Sequence, residues 1–138
     1  MAFDENFHSA SFAADSSIGI FTGVPGQTGA ASPNNGRMYR FVKVTGKYTV
    51  GLCTTKASDR SVGVLQNKPQ QVGGAASVAI RGISYVESGG GATAITAGAA
   101  VTCDSVGRAI AQSGTEQVYG IALQSSSTTG ELISVLLK

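Results

Sequence analysis

The stretch SVAIRGISYV, residues 77–86, decides how the rest of the chain is read. Apolar residues alternate at Val78 and Ile80, the alternation slips at Gly82, and it resumes out of phase at Ile83 and Tyr85. A period of two belongs to a strand, whose successive side chains point to opposite faces, and a slip at glycine is what a bulge or tight bend produces. The stretch predicts one long β-strand bent at Gly82.

The same period runs upstream from Met38, with Arg40, Val42 and Val44 on one face and Tyr39, Phe41 and Lys43 on the other, before a turn at residues 45–47. Further strands are predicted over Tyr48–Thr54, Ser61–Gln66, Ala100–Cys103, Arg108–Ala111, Val118–Gln124 and Glu131–Leu137. Eight short strands separated by Gly, Ser and Asn clusters predict an all-β fold: a compact small β-sandwich or β-barrel-like domain over residues 37–138. The only helix candidate is ATAITAGAA, residues 92–100, and its β-branched residues and glycine speak against it.

Composition agrees. Val, Ile and Thr number 33 against 17 for Leu, Met, Glu and Lys, and branching at Cβ suits a pleated sheet better than a helix. The 138 residues leave room for one domain and an arm. Only 13% are charged, against about 25% in an average globular protein. So neutral a surface of small residues predicts self-association, and a homotrimer is the expected form.

Residues 1–36 differ from the rest. They carry Asp4, Glu5 and Asp15, no Lys or Arg, no sustained periodicity, and a turn-rich run GVPGQTGAASPNNG. This reads as an extended N-terminal arm preceding the β-domain. Four of the five Phe residues lie in it, and a ring gains about 1.5–3 kcal/mol only when removed from water. Phe3, Phe7, Phe12, Ile18, Ile20 and Phe21 are therefore candidate contacts, either covering the arm's own domain or docking on another chain.

Residues 37–81 are basic, with eight Lys and Arg against Asp59 alone. Arg37, Arg40, Lys43 and Lys47 form a possible contact surface for an acidic partner, although half-solvated strands carry such residues routinely. Net charge is only +2 and no aromatic stacking motif accompanies the basic residues, which points away from nucleic acid. No apolar run is long enough for a membrane span and the acidic N-terminus does not resemble a secretory signal. A soluble product made in the cytoplasm is the expectation.

A faint internal repeat is present. Val50, Cys53, Val62–Gln66, Gly74 and Val78–Ile80 echo Val101, Cys103, Tyr119–Gln124, Gly130 and Val135–Leu137. Two related β-units would pair to close one core; chance recurrence in so simple a composition is the competing reading.

Catalytic chemistry is hard to assemble from these residues. Gly46-Lys47 is followed by Tyr48, not by Ser or Thr opening a helix, so it is no phosphate loop. There is no G-x-S-x-G elbow, the lone His8 lies in the arm, and the carboxylates are scattered in turns. Cys53 and Cys103, 50 residues apart and with one histidine in the chain, offer no zinc spacing and are expected as buried thiols more readily than as a disulfide. No cofactor or metal is expected, and the chain does not read as an enzyme.

The segments SVGVLQNKPQQVGGAASVAIRGISYVESG and AITAGAAVTCDSVGRAIAQ…VYGIALQSSSTTGELISVLL resemble the small capsid decoration, or cement, proteins of tailed bacteriophages. The likeness lies in a G-[VI]-x-x-Q strand, a Gly-ended loop before a V-x-[IV] strand, and an AG-x-x-VT-x-D-x-x-GRA hairpin, and it covers about residues 61–138. It implies a β-domain, often trimeric, that binds the major capsid protein on the outside of an expanded icosahedral shell and stiffens it. A carbohydrate- or receptor-binding module of a phage tail or fibre is the alternative, thinly supported by four tyrosines and no Trp.

Overall fold

Ala75–Glu87 forms a single 13-residue strand, β5, with Gly82 at φ 95° where the alternation slips. In the computed structural model, which describes residues 8–18, 37–69, 71–90 and 94–138, β5 is the backbone of the molecule. The other strands are β1 (His8–Ala14), β2 (Phe41–Gly46), β3 (Thr49–Leu52), β4 (Gly63–Leu65), β6 (Ala100–Cys103), β7 (Ala109–Ala111), β8 (Gly120–Ala122) and β9 (Leu132–Leu137). The fold is all-β. Strands β2 to β9 each overlap one of the eight segments expected from periodicity, and the described part of 92–100 holds a bridge at Ile95, a turn and the start of β6.

The strands lie in the order β1-β3-β2-β4-β5-β9-β8-β6-β7, and β1 also pairs with β5, which closes a five-stranded barrel. All strand pairings among the described residues are antiparallel except β1 with β3. The first half of β5 serves this barrel through β1 and β4, and from Gly82 onward the strand pairs with β9 instead. The bend at Gly82 therefore marks the passage from one sheet to the next.

Strand β1 lies within the segment read as the arm. Residues 8–18, placed there by their lack of basic residues and of periodicity, form the barrel's closing strand and the turn after it. Ala10 stands opposite Val78 and Phe12 opposite Ala76, Phe12 packs on the core, and Ile18 is 2% exposed within it. The strand escapes a periodicity reading because HSASFAA offers one large apolar residue, the rest of its inward face being alanine.

The internal repeat is present at the level of single hydrogen bonds. β1, β2, β3, β4 and the first half of β5 correspond in order to the second half of β5, β6, β7, β8 and β9. Gln66 N donates to Ser77 O at 2.7 Å, as Leu123 N does to Ser134 O at 2.8 Å. Ser77 N donates to Asn67 Oδ1 at 2.9 Å, and Ser134 N to Gln124 Oε1 at 3.1 Å. Gly73 N donates to Ala14 O, and Gly130 N to Ser88 O. Even the parallel β1–β3 pairing returns, as the bridge between Ser88 and Ala109.

Two of the sequence echoes are true equivalences, Gly63 with Gly120 and Val78 with Val135. Three are not. Val101 corresponds to Val42 and Val50 to Ala109, Cys103 takes the place of Val44 and Cys53 that of Gln112, and Gly130 matches Gly73 rather than Gly74. Local similarity aligned the cysteines by residue type; pairing register, which fixes which side chain faces inward, separates them.

Candidate functional site

Because alternate residues on a strand face opposite ways, each unit has an inside and an outside, and the two units use them differently. Inside the first barrel, Val42, Val50, Leu65, Val78 and Ile18 form one core. Their second-unit counterparts form another, and it also takes in the outside of the first unit: Phe41, Cys53, Val64 and Ala79, all 0% exposed. The two units are stacked, the outer face of the first plugging the side of the second.

This joint is well defined. The Phe41 and Tyr119 rings meet edge to face, with centroids 5.0 Å apart. Phe41 N donates to Gly107 O at 2.8 Å, and Tyr119 hydroxyl donates to Asp59 O at 2.6 Å. The Cys53 and Cys103 thiols are free and buried, and Cys103 Sγ lies 3.6 Å from the Tyr119 hydroxyl. The neighbouring Cys103 thiol, together with burial, pushes the Cys53 thiol well above its ordinary range and keeps it protonated; burial does the same to the Tyr119 phenol, reinforced by Cys103. Held protonated and buried, Cys53 and Tyr119 serve this seam as packing groups.

The joint accounts for most of the basic residues singled out from sequence. Arg40, expected on a contact surface, is 5% exposed: Nε donates to Glu87 Oε2 at 3.1 Å and Nη1 to Val106 O at 3.3 Å. Its guanidinium ties β2 to the end of β5 and to the 104–107 turn, so it is unavailable to a partner. Lys43 Nζ lies 2.8 Å from Asp59 Oδ2, beneath which the amides of Thr54 and Thr55 donate to the same oxygen. Burial raises the Asp59 pKa, but the Lys43 ammonium and the two amides outweigh it and leave the carboxyl below its ordinary range. Arg37 is half-buried, and burial with the nearby Arg40 cation lowers its guanidinium's pKa. Lys47 is exposed in the β2–β3 turn. The four residues form no continuous basic surface.

Of the apolar candidates, Phe12 and Ile18 belong to the first core. Phe3, Phe7, Ile20 and Phe21 lie outside the described residues. Sequence reasoning missed a different set: Val44 (53% exposed), Tyr48 (73%) and Ile80 (41%) on the first unit, and Leu136 (43%) on the second. Tyr48 also has φ 49° and Tyr39 φ 64°, where the corresponding second-unit residues, Gly107 and Gly98, have φ 81° and 89°. A left-handed tyrosine costs about 1–2 kcal/mol relative to glycine's free access to that region. Tyr39 stacks edge-on with Tyr85, at 6.2 Å. Among the described residues no ring contact accompanies Tyr48.

Among the described residues no cluster of three or more His, Cys, Asp and Glu side chains could hold a metal ion, and no helix is long and apolar enough to cross a membrane.

The fold has a counterpart among solved structures. No family model and no curated protein matches this chain. The chain is similar to the N base of head fiber gp8.5 in bacteriophage phi29, with a TM-score of 0.63 over 95% of each chain at 14% identity. The likeness extends over both units and shows a shared fold.

Proposed function

We propose that this chain is a structural protein of a phage virion that binds the major capsid protein on the outer surface of an icosahedral head, as a homotrimer, and stabilises the expanded shell. The observation that carries the reading is the likeness along 95% of both chains to the base of a phage head fiber. The sequence resemblance of residues 61–138 to capsid decoration proteins points to the same location on a different ground. The architecture suits such a role. A doubled barrel with a buried ion pair at the joint between its units is a rigid body, and adhesion asks for no reactive centre.

In this reading the capsid contacts are Phe3, Phe7, Ile20 and Phe21, since Phe12 and Ile18 are spent on the barrel. Three short anchors on one trimer make the second and third contacts intramolecular, raising avidity about 10²- to 10⁴-fold over one site. The test is co-sedimentation of the purified protein with expanded heads of the phage that encodes it, followed by thermal disruption of the heads. Saturable binding and a higher disruption temperature are expected. Absence of binding overturns the proposal, and binding without a change in disruption temperature removes the stabilising role. Deleting residues 2–7, which spares β1, should abolish binding while leaving the barrel folded.

A further inference from the structure

The repeat leaves two faces uncovered, and they are complementary. In the first unit the outer face built on Phe41, Val64 and Ala79 is completely buried by the second unit. The same positions in the second unit are Ala100, Ile121 and Leu136, which the described residues cover only in part: Leu136 is 43% exposed, Ala100 and Ile121 half-buried. Conversely, the second unit receives its neighbour on a side that includes Cys103, Gly107 and Leu137. The same side of the first unit presents Val44, Tyr48 and Ile80, all exposed. Among the described residues, one half of the internal joint is thus left over on each unit.

We propose that a second copy of this chain docks head to tail across these faces, the Ala100–Ile121–Leu136 face of one copy seating on the Val44–Tyr48–Ile80 side of the next. This rests on the self-association included in the function proposed above and specifies its surfaces. The internal joint is the template, so the external one continues an interface the fold already makes. Inside the molecule the backbone of Phe41 lies against Gly107, with Phe41 N donating to Gly107 O at 2.8 Å and an added Cβ on Gly107 standing 3.0 Å from Phe41 O. Between copies Ala100 would meet Tyr48 in the same relation. Tyr48 is held in a left-handed conformation at the tip of a hairpin, with no described ring beside it, and a docked copy gives the exposed ring a neighbour. An interface between unlike faces is heterologous: it closes into a ring if the rotation between copies allows and otherwise propagates.

The test uses Leu136→Glu and Ile80→Glu, exposed substitutions on opposite faces, with Val72→Glu as an exposed control in the 71–74 turn. Light scattering should show the wild type and Val72→Glu as oligomers and each of the other two as a monomer, association weakened at least tenfold. An equimolar mixture of Leu136→Glu and Ile80→Glu retains one intact pair of faces and should form a 1:1 dimer and nothing larger. As a second measurement that does not depend on a charged variant folding, Tyr48→Cys mixed with Ala100→Cys under oxidation should give a crosslinked pair, where Tyr48→Cys alone should not. A wild type that stays monomeric at millimolar concentration overturns both this interface and the trimer reading. A wild-type oligomer that persists in both glutamate variants, or variants that fail to pair on mixing, overturns the interface and leaves the trimer to another surface.

Discussion

Gly63 and Gly120 occupy one position in two copies of the same unit. Gly63 pairs with Val42 across β4 and β2, and Gly120 with Val101 across β8 and β6. A Cβ on Gly63 would strike the Ala79 carbonyl and come within 2.8 Å of Val78 Cγ1; a Cβ on Gly120 would come within 2.5 Å of Leu136 O and 2.7 Å of Val135 Cγ1. In both units the strand crosses so close to its neighbour that only hydrogen fits. Gly63→Ala and Gly120→Ala should each destabilise by about 2–3 kcal/mol, the usual upper range for overpacking. Gly46→Ala, whose Cβ would meet only Thr49 at 3.6 Å, should stay within about 0.5 kcal/mol of wild type. Urea unfolding of the three variants checks the contrast.

Arg40 and Glu87 form an ion pair whose side chains are 6% and 12% exposed. Removing one partner strands the other away from water, so Arg40→Ala should cost about 3 kcal/mol. Replacing both, as Arg40→Met with Glu87→Leu, should cost less than the single substitution, because no uncompensated charge remains. Equilibrium unfolding of the single and double variants reads the difference directly.

Asp59 accepts from Lys43, Thr54 and Thr55, and its folded pKa is lowered. A depressed carboxylate contributes stability that is present above the unfolded carboxyl's pKa, about 3.9, and is lost as pH falls through the folded value. Asp59→Asn should therefore cost about 2 kcal/mol at pH 7, and the gap to wild type should close below about pH 4. Unfolding midpoints measured from about pH 7 down to about pH 2 provide the check; a gap independent of pH contradicts the assignment.

Tyr48 stands at φ 49° with 73% of its surface exposed. Asparagine tolerates the left-handed region better, so Tyr48→Asn should raise stability by about 0.5–1 kcal/mol in dilute solution, through relief of strain alone. The same substitution should weaken self-association, if the ring is held for a neighbouring copy. Thermal unfolding and light scattering on one preparation separate the two effects.

Much of the architecture was legible in local pattern. The slip at Gly82, the alternation from Met38 and the short apolar runs between Gly and Ser clusters located eight strands, because side-chain direction on a strand has a fixed period and turns have a distinctive chemistry. The repeat was visible wherever both units kept the same small residue for the same steric reason, as at Gly63 and Gly120. It faded where the units diverged: Tyr39 and Tyr48 stand where the second unit has glycine, and no comparison of residue types equates them. The candidate surfaces were read less well. Arg40 looks like any solvated basic residue until Glu87, 47 positions away, is brought beside it, and the strand HSASFAA has too little apolar bulk to announce itself.

Composition and periodicity alone settled that this chain is a sheet protein of small residues with a strand bent at Gly82, because these properties are fixed by neighbours two or three residues apart; the kinship of the two halves was one of two readings until the pairing registers matched them. Which residues are covered was decided by stacking. The outer face of the first unit is buried and its twin in the second is partly exposed, and the same three strands in the same register give both outcomes. The difference lies in what packs against each face, a relation between distant segments that no local pattern encodes.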